Sequence, residues 1–172
     1  MTPTALTSNF FTAQIVQQQL ARIGIRIHLR LVSYPAYLAI GQRIDGTQMT
    51  PWGNQVDYAD PSALFDTGFS TAAINPDASN NVAFFSNARY DNLVSGARHE
   101  MDPVARKALY HEANDILCDQ APWVFTWAQR DFVMRQPYVR GFAMHPIWPL
   151  DVRGVWLDRA DAELRKALGG PR

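Results

Sequence analysis

A chain of 172 residues, 47% hydrophobic and 19% charged, is long enough for one domain with its own core and too apolar for a disordered tail. Lys plus Arg and Asp plus Glu balance at 16 each, which removes the long-range attraction that gathers DNA or anionic lipid and excludes nucleic acid as an expected partner. No apolar run is long enough to span a bilayer, and the opening Met1-Thr2-Pro3-Thr4 lacks the basic-then-apolar pattern of a signal peptide. Cys118 is alone, so neither an internal disulfide nor a cysteine-rich metal site is expected, and cysteine usage leaves the redox compartment open.

In chain order, Thr7, Ser8 and Asn9 are good caps for a first helix, on which Phe10, Ala13, Val16, Leu20 and Ile23 recur at helical spacing up to Gly24. A strand is expected next, because Ile25, Ile27, Leu29 and Leu31 alternate with Arg26, His28 and Arg30. Ser33 caps a short helix with Pro35 in its first turn, which Gly46 closes, and Gln48 to Trp52 reads as a short strand. Asp60-Pro61 starts a helix carrying Leu64 and Phe65, and Thr71 to Asn81 reads as a surface loop.

Asn87 caps a helix with the stripe Tyr90, Leu93, Val94 and Ala97. Asp102-Pro103 opens another, with Leu109, Ala113, Ile116 and Leu117, which Pro122 stops. Trp123 to Trp127 and Asp131 to Arg135 read as two strands. Beyond Gly141 the pattern weakens until a last polar helix between Asp161 and Leu168. Helix, glycine and strand in succession mark an α/β domain.

The chemistry-bearing motifs are missing. There is no dinucleotide or phosphate-binding glycine loop, no nucleophile elbow and no zinc-protease helix motif. His28, His99, His111 and His145 share no metal-ligand spacing, and His99 and His111 fall in different helices. Cys118 lies near an apolar stripe and reads as a buried structural thiol. Of the carboxylates, Asp60 is explained as the cap before Pro61. Asp57 has no local role, and it lies between a strand end and a helix start, where α/β folds place ligand contacts. The rings of Trp52, Tyr58, Trp123, Trp127, Trp148 and Trp156 divide between core packing and the lining of a cleft or interlobe surface. An enzyme using Asp57 and a histidine has no support in spacing, so the chain is read as non-enzymatic.

Seven stretches in order carry a resemblance. They are QQQLARIGIRIHLRLV from Gln17, the Tyr34 to Leu38 helix, WGNQVDYADP from Trp52, FFSNARYDNL from Phe84, ALYHEANDILCDQAPW from Ala108, Val139-Arg140-Gly141-Phe142, and the Pro149 to Leu157 tail. Together they resemble the carboxy-terminal part of the family 5 extracellular solute-binding proteins, the receptors of ABC importers for dipeptides, oligopeptides and nickel. The resemblance implies an α/β fold of the periplasmic-binding-protein type II, here its carboxy-terminal lobe, with a mixed sheet flanked by helices. It implies a second lobe over residues 1–141 and, over 142–172, a tail that recrosses to a first lobe.

It also implies a function without chemistry. A peptide or other small solute is held between lobes, and a membrane permease takes it from the full-length receptor, on the periplasmic or extracellular face. In peptide-binding members an aspartate of the Trp-to-Asp-Tyr loop holds the ligand's α-ammonium, and Asp57 is the matching position, with Trp52, Asn54 and Tyr58 of the same stretch as ligand-binding residues. Four residues separate Trp52 from Asp57, where the family usually has two or three. No catalytic residue, cofactor or metal is implied. With one lobe only, peptide binding is expected to be very weak. The bare interlobe surface, with Trp148 and Trp156, is expected to drive self-association into a homo-oligomer.

Overall fold

The computed structural model describes residues 4–53, 56–126, 128, 130, 132–145, 147–148, 151–158, 160 and 162–169. Six α-helices, a 3-10 turn at Thr71–Ala73 and one two-stranded ladder are formed among them: α1 (Thr4–Ala21), α2 (Tyr34–Gly41), α3 (Ser62–Phe69), α4 (Ala88–His99), α5 (Pro103–Gln120), β1 (Val139–Arg140), β2 (Trp156–Leu157) and α6 (Ala162–Ala167).

The core lies among α3, α4 and α5, where Phe69, Tyr90, Val94, Ala113 and Leu117 are buried and Leu64, Phe65, Phe85, Leu93, Ile116 and Trp123 pack around them. Leu64, Phe65, Tyr90, Leu93, Val94, Ala113, Ile116 and Leu117 belong to the stripes that helical spacing predicts, and packing them together removes apolar surface from water. Edge-to-face ring contacts lock the helices together: Phe69 with Trp123 at 4.9 Å, Phe65 with Tyr110 at 5.2 Å and Phe85 with Tyr90 at 5.5 Å between centroids. The Tyr90 hydroxyl donates to the Phe65 carbonyl at 2.8 Å, and burial pushes that phenol well above its ordinary pKa.

The helix ends follow local chemistry. Asn87 accepts the Tyr90 N–H at 3.0 Å, and Asp102 accepts the N–H groups of Val104 and Ala105. Gly24, at φ 85°, ends the first helical unit, where the Ile25 N–H reaches back to the Leu20 carbonyl. α1 begins at Thr4, ahead of the expected caps Thr7 to Asn9, which fall inside it. α2 starts after Ser33 but ends at Gly41, short of Gly46.

The expected strands are where sequence and structure part. Residues 25–33 run without a helical turn, a bend or a ladder partner, 48–52 are irregular, and the described parts of 123–127 and 131–135 form no ladder. Alternation specifies a strand only when a second strand supplies backbone partners, and among the described residues none faces these segments. The ladder that does form pairs Val139 with Leu157 and Arg140 with Trp156, antiparallel. Gly141, at φ 70°, permits it: a Cβ there would come within 2.1 Å of the Gly154 carbonyl oxygen.

The segment 71–81, expected as a surface loop, is partly interior. Ser79 and Asn81 are fully buried. Asn81 donates to the carbonyls of Ser70 and Phe85 and accepts the Phe85 N–H, so the loop's polar groups are satisfied from within. Cys118 is exposed, correcting the buried reading; it follows Leu117 by one residue and so points about 100° away from the buried stripe.

Candidate functional site

The loop from Pro51 to Pro61 is held at both ends. At its start, the Trp52 ring lies 5.4 Å from Tyr37, which stacks at 6.0 Å on Tyr34. The Tyr37 hydroxyl donates to the Pro51 carbonyl. Burial, with Tyr34 beside it, pushes the Tyr37 phenol above its ordinary pKa. Gly41, on the same helix, lets the Trp52 ring approach α2 closely, because a Cβ at position 41 would meet the ring at 2.9 Å.

At the loop's end, the Asp60 carboxylate accepts the Ser62 N–H at 2.9 Å and a hydrogen bond from Arg106 at 2.8 Å. The Arg106 guanidinium holds Asp60 well below the usual carboxylate range, and the Ser62 hydrogen bonds add to this. Arg106 also donates to the Ala97 carbonyl and lies 5.1 Å over the Tyr110 ring. Asp60 therefore joins the start of α3 to α4 and α5.

Between these anchors stands Asp57, exposed and with no hydrogen-bond or ion-pair partner among the described residues. Tyr58 is also exposed, and its hydroxyl lies 3.1 Å from the Ser62 hydroxyl. Asn54 lies outside the described residues. The structure thus seats Trp52 on an aromatic platform, turns Tyr58 toward α3 and leaves the Asp57 carboxyl without a partner among the described residues, on a loop fixed at both ends. A free carboxylate on a braced loop can accept charge-assisted hydrogen bonds from a cation without first breaking a bond of its own.

Sequence reasoning missed Tyr34, Tyr37 and Gly41. Their signal was available, since positions three and four apart share one helical face. It also missed Arg106, which is 46 residues from Asp60 and has no local signature. The four histidines do not converge: His99 bonds back to the Ser95 carbonyl, and His145 accepts the N–H groups of Ile147 and Trp148. Among the described residues no three metal-ligating side chains cluster, and no helix is long and apolar enough to cross a membrane.

No family model matches the chain. It is 31% identical over 157 residues to the glutathione-binding protein GsiB of Salmonella choleraesuis, covering 86% of this chain and 28% of that protein. It is 26% identical to the dipeptide-binding protein DppE of Bacillus subtilis, over 86% of this chain and 26% of the relative. A probable deoxycholate-binding periplasmic protein, YgiS of Escherichia coli, is 29% identical over 72% of this chain and 22% of its own length. Among solved structures, the ABC transporter-associated periplasmic binding protein DppA from Helicobacter pylori, in complex with the peptide STSA, superposes with a TM-score of 0.67. That match has 23% identity and covers 86% of this chain and 29% of DppA, and it establishes the fold. These relatives are named as binding proteins, not enzymes. The chain spans about a quarter of the length of the curated relatives it matches, and it is a relative of the family 5 extracellular solute-binding proteins.

Proposed function

We propose that this chain is the ligand-binding part of an ABC importer's receptor, that it holds short peptides without chemistry, and that Asp57 takes the peptide's α-ammonium. The observation that carries the reading is the contrast between two neighbouring acids. Asp60 is used by the Ser62 N–H and by Arg106, whereas Asp57, exposed on the same loop, has no partner among the described residues. Trp52 and Tyr58 flank it as ring surfaces for the peptide, and Asn54 adds an amide. The names of the dipeptide- and glutathione-binding relatives support an amino-terminal ammonium as the recognised group. Residues 1–141 act as one lobe and 142–172 as a tail that reaches the other, a permease receives the solute, and the receptor works on the outer face of the membrane. A half-site exposed to water on one side binds weakly, because the desolvation that strengthens a charge pair is incomplete.

Peptide titration followed by NMR tests this. A free dipeptide should bind in the millimolar range and shift the amides of 56–58, while its N-acetylated form and the Asp57→Asn variant should show no shift there. Equal shifts with and without the acetyl group would sink the assignment of Asp57, and submicromolar binding would sink the half-site.

A second reading has its own observation: Phe11, Ile23, Leu31, Trp148 and Trp156 are all more than half exposed. Apolar surface of that kind favours association between copies, with no ligand binding by the chain alone. Light scattering tests it: a concentration-dependent mass above that of the monomer supports this reading, and a monomer at every concentration rejects it.

A further inference from the structure

The loop that presents Asp57 has its two anchors on different parts of the molecule. Trp52 packs against Tyr37 and Gly41 of α2, whereas Asp60 is bonded to Ser62 of α3 and to Arg106 of α5. Among the described residues no hydrogen bond or ion pair runs directly from α2 to α3, α4 or α5.

The segment 71–81 makes that connection. On the side of α2, the Ser79 N–H donates to the carbonyl of Gln42, the C-terminal cap of the helix, at 3.0 Å, and the Ile44 N–H donates to the Pro76 carbonyl at 3.4 Å. A helix leaves its last carbonyls without partners, so the end of α2 takes from this segment a donor that it lacks. On the side of α3, the Asn81 amide donates at 3.0 Å to the carbonyl of Ser70, the C-terminal cap of that helix. The same carboxamide bonds the N–H and carbonyl of Phe85, ahead of α4.

The Ser79 hydroxyl joins the two sides. It donates to the Asn81 carbonyl at 2.7 Å and lies 3.3 Å from the Ala73 carbonyl. The Asn81 carbonyl also takes the N–H of Phe84, whose φ of 51° is strained for an aromatic residue and persists only where its surroundings fix it. Ser79 and Asn81 are both fully buried, so water cannot replace their bonds. The path from Gln42 through Ser79 and Asn81 to Ser70 therefore sets how far the end of α2 stands from the end of α3.

That separation bears on the site. A loop fixed at both ends changes shape when its ends move apart, and a charge-assisted hydrogen bond works only over about 2.7–2.9 Å. A binding group on a loop keeps such a geometry when the residues behind it are locked by packing and hydrogen bonds. We propose that Ser79 is a positioning residue for the Asp57 site. Buried, it touches no ligand; by joining Asn81 to the end of α2 it fixes the spacing of the Trp52 and Asp60 anchors, and with it the reach of the Asp57 carboxylate. This rests on the peptide reading of Asp57 given above.

The test uses the full chain, the dipeptide alanylalanine in free and N-acetylated form, and NMR well below the unfolding transition. Ser79→Ala removes the hydroxyl and keeps the backbone. The free dipeptide should bind this variant about tenfold more weakly than the parent, the scale of one hydrogen bond to a charged group. Without ligand, the Trp52 indole N–H and the amides of 56–58 should shift in the variant while those of α5 stay in place. Val94→Ala, in the core and away from both anchors, should lower thermal stability and keep the parent's affinity. Ile44→Pro removes the second tie to α2 at an exposed position and should weaken the dipeptide in the same direction, which decides the matter if Ser79→Ala does not fold. Acetyl-sensitive binding that is unchanged in the tie variants overturns the positioning role and leaves the assignment of Asp57 intact. So does an equal loss of affinity in Val94→Ala, which would make the effect one of general stability. A parent chain that binds neither form, or both alike, overturns the assignment of Asp57 and the role of Ser79 with it.

Discussion

Arg106 on α5 donates to the Asp60 carboxylate at 2.8 Å, and through that bond the residue that caps α3 is tied to a helix 46 positions further along the chain. The same guanidinium reaches the Ala97 carbonyl near the end of α4 at 3.0 Å. One side chain therefore fixes three helices and the end of the loop that presents Asp57.

The arrangement has a pH signature. Arg106 holds the folded-state pKa of Asp60 below its unfolded value, so the stability it contributes is present above about pH 4, the ordinary aspartate range, and is lost as pH falls from there towards the lower folded value. Urea unfolding at neutral pH and near pH 3 should show a larger loss for the parent chain than for Asp60→Asn. Equal losses would mean that the pair contributes nothing to folding. Asp60→Ala should in addition lose the cap, at about 1 kcal/mol.

Gly41 and Trp52 make a second testable fit. A methyl at position 41 would meet the indole at 2.9 Å, so the ring, which lies 5.4 Å from Tyr37, must shift. Gly41→Ala should cost about 1–3 kcal/mol, the usual range for overpacking, and should change the near-ultraviolet circular dichroism. Adding Trp52→Leu should restore most of that loss, because the clash partner is then gone. A double variant no more stable than the sum of its parts would show that the two residues act independently.

How far the sequence discloses this molecule depends on how local each determinant is. Asn87 and Asp102 announce their helices because a cap acts within three residues, and the stripe of Tyr90, Val94 and Ala97 announces its buried face. The strand expected at Ile25 to Leu31 has the right alternation, yet a ladder needs a partner and the alternation cannot supply one. Asp57 could be singled out because local rules left it without a structural role. The Arg106 contact that explains Asp60 lies beyond any local window, and although helical spacing puts Tyr37 and Gly41 on one face, no local rule says that Trp52 packs there.

Asn81 shows how a loop rich in small polar residues can be misjudged. Its amide makes three hydrogen bonds, to Ser70 and twice to Phe85, in a site without solvent. Asn81→Ala removes three hydrogen bonds and leaves the Phe85 carbonyl and N–H without their partner, while the Ser70 carbonyl keeps the Ala73 N–H; it should cost about 3 kcal/mol, near 1 kcal/mol for each bond. Asn81→Asp keeps the bond from the Phe85 N–H but sets a carboxylate against two carbonyl oxygens, so it should destabilise at least as much. Thermal unfolding of the two variants decides this; a loss under about 0.5 kcal/mol for Asn81→Ala, the level of ordinary surface substitutions, would mean that the loop is not held from within.

Cys118 offers a check on the helical register of the core. Leu117 is 2% exposed, and one residue on, the thiol is at the surface with the Asn114 amide 3.7 Å from its sulfur. A water-soluble aromatic disulfide reagent should therefore label the thiol completely under native conditions, at a rate that denaturant raises only a few-fold, and the labelled chain should keep its helical circular dichroism. A register shifted by one residue would bury Cys118 in place of Leu117. Labelling would then wait for unfolding, and its rate would follow denaturant concentration through the transition, because a buried thiol reacts only from the opened state. Labelling of Leu117→Cys beside the parent chain separates the two registers: in the structure described, position 117 is the protected one and 118 the open one.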